Sequence, residues 1–143
     1  MDEADVRQKA RAFVAKVDAS NIREDLTPYL VEANAKVKKE ELDEGESGYT
    51  ITKPNGKHVI TVNSLETEER QRFTICHEIA HIVLALESSH EEVPSWSYAK
   101  RHPNEIACDT FGAELLMPYQ QWLSLVPKEE PSLELIQHMA DVF

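Results

Sequence analysis

Basic residues are scarce: 15 Lys and Arg stand against 26 Asp and Glu, a formal charge of −11. Proteins that bind duplex nucleic acid neutralise its phosphates with lysine and arginine, so this balance argues against nucleic acid as the main ligand. It suits partners that are cationic or of mixed charge. Cysteine is nearly absent, with Cys76 and Cys108 its two occurrences. Two cysteines make no disulfide framework and fit a reducing compartment. Long apolar runs are missing as well. The longest covers residues 82–86, Ile-Val-Leu-Ala-Leu, whereas a membrane helix needs about twenty. The opening Met1-Asp2-Glu3-Ala4-Asp5 is acidic where a secretory signal is basic and then apolar. The expectation is a cytoplasmic protein without a membrane partner.

What is present suits one globular domain over residues 1–143, with 41% hydrophobic and 29% charged residues and length enough for one real core. No repeat or low-complexity tract interrupts it. Val6, Ala10, Phe13, Val14 and Val17 recur at helical spacing and predict an amphipathic first helix. Thr27-Pro28 reads as an N-cap and first helical position, and Asn34 can end that short helix in the left-handed conformation. Residues 35–42 are charged around Val37 and read as an edge strand whose lysines discourage pairing. Residues 49–52 and 58–62 are rich in β-branched side chains and flank Asn55-Gly56, a hairpin signal. A small antiparallel sheet is therefore expected before the next helix.

Thr67-Glu68-Glu69-Arg70 has the acids of a helix start. Residues 73–86 then carry apolar side chains on nearly every face, as a buried helix does. Residues 88–103 read as a long loop containing Trp96 and Tyr98. Asn104 can cap a helix from Glu105 to about Met117, which Pro118 stops. A last helical pattern begins at Pro131 and is still running at Phe143, as it would in a longer protein trimmed at its C-terminal end.

Within the buried helix stands His77-Glu78-Ile79-Ala80-His81, the pattern H-E-x-x-H. Residues four apart share one helical face, so His77 and His81 can offer imidazole nitrogens to one metal. Glu78 sits at the edge of that face, where it can reach a water as general base without being a ligand. Two imidazoles and a carboxylate buried without partners would cost several kcal/mol; a metal removes that cost. A catalytic zinc needs a third protein ligand. Glu87 is a poor candidate, because position 84 is leucine and no glycine turns the chain there. Glu105 and Asp109 lie four apart on the downstream helix, with Gly112 continuing their face. Glu105 can be the third ligand, and Asp109 can hold the far nitrogen of a ligand histidine; taken alone, the pair could equally be an exposed acidic face. Gly112 in mid-helix costs about 1 kcal/mol against alanine, which a close helix–helix approach would explain. Cys76 and Cys108 point away from the ligand face and read as packed thiols. His90, His102, Tyr98 and Tyr119 flank the site and are candidates for stabilising an oxyanion, or ordinary loop residues. His58 and His138 look structural.

Phe73-Thr74-Ile75-Cys76-His77-Glu78-Ile79-Ala80-His81, followed by the run from Glu105 through Asp109 and Gly112 to Pro118, resembles the ImmA/IrrE family of zinc metallopeptidases. The strand Val59-Ile60-Thr61-Val62-Asn63 is similar to that family too, and the resemblance covers about residues 26–143. It implies that His77, His81 and Glu105 hold the metal and that Glu78 is the catalytic glutamate. It also implies cleavage of a helix-turn-helix transcriptional repressor; some relatives resemble toxin components paired with such a regulator. Cys76 and Cys108 stand where the family commonly has small residues.

The expected fold is α+β: N-terminal helices, a small antiparallel sheet, and a zincin-like helix pair holding the metal. The expected cofactor is Zn2+, with Mn2+ the alternative, since two imidazoles and a carboxylate suit both. The expected reaction is peptide-bond hydrolysis. The competing class is a metal-binding regulator that holds a repressor without cutting it, but an intact Glu78 favours the enzyme, because a purely structural site needs no base.

Overall fold

The protein is described here as a computed structural model over residues 2–86 and 102–118. Helix α1 spans Glu3–Ala15 and starts at Asp2, whose carboxylate accepts the Asp5 amide at 2.8 Å. That bond satisfies one of the amides a helix start leaves free. Val6, Ala10 and Phe13 form its buried stripe, with Val14 and Val17 packed beside the core. Helix α2 covers Thr27–Glu32. Thr27 is its first residue and Leu26 its cap, one position earlier than the sequence suggests. Asn34 leaves it with φ +56, the left-handed turn expected of it.

Three strands follow: β1 Ala35–Glu40, β2 Gly48–Thr52 and β3 His58–Asn63. Their order is β1-β3-β2. The β2–β3 hairpin is antiparallel, with Thr52 opposite His58. Its turn is closed by the Gly56 amide on the Lys53 carbonyl at 2.9 Å, with Gly56 at φ +84. Strand β1 is the edge strand that its lysines suggest, but it runs parallel to β3, with Ala35 opposite His58 and Glu40 opposite Asn63. The sheet is thus mixed and not antiparallel. The reason lies in residues 41–47, which cross to the far edge of β3 instead of folding back as a hairpin. Buried Asn63 holds that crossing. Its amide donates to the Glu46 carbonyl at 2.8 Å, and its carbonyl oxygen accepts the Leu42 and Leu65 amides at 3.2 and 3.0 Å.

Helix α3 spans Glu68–Leu84 and is capped by the Thr67 hydroxyl accepting the Arg70 amide. Helix α4 spans Pro103–Leu116. Its cap is His102, whose Nδ1 accepts the Asn104 amide at 3.0 Å. One core joins the elements. Ile60 and Val62 of β3 share it with Ile75, Cys76 and Ile79 of α3, and Phe13 lies tilted against Tyr29 and Phe111 at 5.7 and 5.9 Å between ring centres. The buried Tyr29 hydroxyl donates to the Leu115 carbonyl at 2.8 Å, as a buried hydroxyl must find an acceptor. Among the described residues no helix is long and apolar enough to cross a membrane. The loop from residue 88 to 101, the last helical pattern, and Glu87, His90, Trp96, Tyr98, Tyr119 and His138 lie outside the described residues.

Candidate metal centre

Helices α3 and α4 pack closely because Gly112 has no side chain. A Cβ there would sit 3.2 Å from the His77 amide nitrogen, 3.3 Å from the Cys76 carbonyl carbon and 3.4 Å from the His77 Cα. These are backbone atoms of a helix, which yield less readily than the end of a flexible side chain. One turn and two turns back along α4, Asp109 and Glu105 then come level with the histidines of α3. Gly112→Ala gains about 1 kcal/mol of helix propensity but overpacks the contact, at about 1–3 kcal/mol. The expected result is a melting temperature no higher than the parent's and weaker metal binding, checked by melting with and without added zinc. A more stable, fully metal-competent Gly112→Ala would show that the close approach does not position the site.

Asp109 Oδ1 accepts a hydrogen bond from His77 Nδ1 at 2.7 Å. His81 Nδ1 donates to the Leu86 carbonyl at 2.9 Å, and a carbonyl can only accept. Leu86 is brought there by a tight helix end. Ala85 takes the left-handed conformation, φ +53 and ψ +42, which is strained for a residue with a Cβ. Its amide and that of Leu86 return to the Ile82 and His81 carbonyls. The turn that the sequence lacks a glycine for is thus made by an alanine.

With both Nδ1 atoms protonated, each neutral imidazole presents a lone pair at Nε2. These two nitrogens are 3.2 Å apart, and Glu105 Oε2 lies 3.0 Å from that of His81 and 3.4 Å from that of His77. Three lone-pair atoms converging at this distance repel one another unless a proton or a metal cation lies among them. A tetrahedral zinc with bonds of about 2.0–2.1 Å holds its ligand atoms about 3.3–3.4 Å apart, and the separations of 3.0, 3.2 and 3.4 Å are compatible with that after a small adjustment. His77, His81 and Glu105 could therefore hold a metal ion. The electrostatics agree. Burial would lower both histidines, yet Asp109 and Glu105 raise His77 to about 9, and Cys108 and Glu105 raise His81 to about 10. Burial would raise Glu105, but its hydrogen bonds with His77 and His81 hold it well below the usual carboxylate range. The site attracts positive charge, whether as protons or as a metal.

Glu78 is buried, 5% exposed, and stands outside the three-atom cluster. Burial pushes its carboxyl up from the ordinary value. The Thr50 hydroxyl of β2 donates to its Oε2 at 2.8 Å. The sequence gives no sign of Thr50, which lies 28 positions upstream of Glu78; Gly48, which reads as the end of a turn just before the expected strand at residues 49–52, is the nearest available clue. A Cβ on Gly48 would collide with the Thr61 carbonyl oxygen and come within 2.8 Å of Thr74 Cγ2. Strand β2 is thus pressed onto β3 and α3 at that point. Cys76 and Cys108 are buried free thiols, neither in the metal-binding group, with Cys108 against His81. Burial pushes the Cys76 thiol up to about 12 and raises that of Cys108, which makes them unreactive. His102 serves as a helix cap and is not brought to the cluster. His58 Nδ1 pairs with the Thr52 hydroxyl at 2.8 Å, a contact within the hairpin.

A mixed sheet, a helix carrying H-E-x-x-H and a second helix supplying a carboxylate to the same point define an architecture of the metallopeptidase type. A family model described as IrrE N-terminal-like domain, Peptidase_M78, matches residues 30–143, and the chain belongs to that family. No curated protein matches the chain.

Proposed function

We propose that the protein is a zinc-dependent endopeptidase of the cytoplasm that cuts a helix-turn-helix transcriptional repressor and so relieves repression. The observation that carries the peptidase reading is a buried glutamate, Glu78, beside a His77–His81–Glu105 cluster of which it is not a member. Zinc bound by those three residues would supply Lewis acidity to the scissile carbonyl and lower the pKa of water toward 7. Glu78 takes a proton from the attacking water on a carboxylate oxygen and passes it to the nitrogen of the leaving amine. Its desolvated carboxylate holds that proton more tightly than an exposed one would. Asp109 and the Leu86 carbonyl keep both imidazoles in the tautomer that leaves Nε2 free.

The position of β2 supports a peptide substrate. Lys53 donates to the Lys57 carbonyl, and Asn63 to the Ser47 carbonyl, both at 2.8 Å. In the alternating antiparallel pattern, residues 49 and 51 then bond inward to β3. The backbone groups of Gly48, Thr50 and Thr52 face the outer edge, where no further strand lies among the described residues. An extended chain added along that edge would run past Thr50 and hence past Glu78. The repressor as the particular substrate rests on the family resemblance, and the two free thiols support a reducing compartment. The test is to incubate the zinc-loaded protein with the helix-turn-helix protein encoded beside its gene and run a gel. Shortened repressor is the expected result. A stable complex with intact repressor would replace the enzyme with a binding module.

A further inference from the structure

Among the described residues, one of the two Glu78 carboxylate oxygens is hydrogen-bonded. Oε2 accepts from the Thr50 hydroxyl at 2.8 Å, and among the described residues Oε1 has no hydrogen-bond partner. A glutamate side chain has three rotatable bonds, and holding it in one rotamer costs conformational entropy. The surrounding structure prepares this contact. Gly48, two residues before Thr50, fits against the Thr61 carbonyl and the Thr74 methyl where no Cβ could. The register that places Thr50 opposite Ile60 turns its side chain to the same sheet face as buried Ile60, the face that α3 covers. Buried Asn63 fixes the loop that delivers the chain to Gly48. A local hydroxyl is therefore carried to a distant acid by a strand built to lie close.

We propose that Thr50 is a positioning residue for Glu78. Its hydroxyl anchors Oε2 and leaves Oε1 as the oxygen that accepts and returns the proton. This role rests on the peptidase reading above. It does not require Thr50 to touch substrate or metal. A misplacement of a reacting group by about 1 Å can cost about 100-fold in rate, so loss of the anchor should appear in kcat.

The test uses the full chain with Thr50→Val, which keeps the shape and removes the hydroxyl, and Thr50→Ser, which keeps the hydroxyl. Cleavage is followed on the repressor that the parent protein cuts. Crystal structures of both variants show the Glu78 rotamer without any need for substrate. Thr50→Val should lose about 10- to 100-fold in kcat, with KM and metal content at parental values and Glu78 spread over more than one rotamer. Thr50→Ser should recover most of kcat and the single rotamer. If Thr50→Val kept parental kcat, or if Glu78 held its rotamer without the hydroxyl, the positioning role would be overturned. Equal losses in Val and Ser would also overturn it, since packing alone would then explain them. If the parent protein cuts no repressor, the peptidase reading fails separately, while the rotamers still report whether Thr50 holds Glu78.

Discussion

Glu78→Gln is expected to abolish nearly all cleavage while leaving the fold and the metal content unchanged. Glutamine matches the size of glutamate and keeps an oxygen that can accept from the Thr50 hydroxyl, so the 2.8 Å contact survives. It cannot take up a proton at neutral pH. Losing a general base costs typically about 10²- to 10⁴-fold, and the cleavage rate should fall by at least that factor. Metal should stay, because Glu78 is not one of the three converging groups. The uncut repressor should still bind, which makes the variant a trap. A gel time course with parallel metal analysis checks both halves. If Glu78→Gln relieved repression in cells as well as the parent does, proteolysis would be irrelevant to the function.

Glu105→Ala should have the largest effect on metal binding. It removes the only anionic member of the group and leaves His77 and His81 Nε2 facing each other at 3.2 Å. Asp109→Ala leaves all three donor atoms and removes the partner of His77 Nδ1. Its cost should be about 10- to 100-fold in affinity, as for other groups that orient a ligand, and Glu105→Ala should exceed it clearly. Competition against a chromophoric chelator measures both. The same ranking should appear in melting experiments. A metal that binds only the folded chain adds about 2.7 kcal/mol of stability at a hundredfold excess over its Kd, and Glu105→Ala should lose that increment. Full metal occupancy in Glu105→Ala, with loss on Glu87→Ala, would move the third ligand to the other acid.

Features set by local pattern were legible in the sequence. The stripe Val6, Ala10, Phe13 and the spacing of His77 and His81 follow from helix periodicity. Asn55-Gly56 marks the hairpin, and Asn34 the left-handed exit, because each depends on a few neighbouring residues. The approach of α4 was readable from one oddity, a mid-helix Gly112 in line with Glu105 and Asp109. Features set by distant partners were not readable. Strand β1 looks the same whether it pairs parallel or antiparallel, and the choice is made by the Asn63 latch on residues 41–47. Thr50 resembles any strand threonine until the sheet meets α3. Ala85 in a left-handed turn runs against its own preference and is held there by bonds back to Ile82 and His81. His102 lacks the short oxygen side chain of a usual cap, so Asn104 was the more natural choice.

The measurement that bears most directly on the metal centre is anomalous diffraction from crystals of the zinc-loaded protein, with data collected on both sides of the zinc absorption edge. One strong difference peak is expected, bonded to His77 Nε2, His81 Nε2 and a Glu105 carboxylate oxygen, with Glu78 near it but not bonded. Folded protein saturated with zinc that shows no peak among those three atoms, or shows its peak elsewhere, would contradict the assignment.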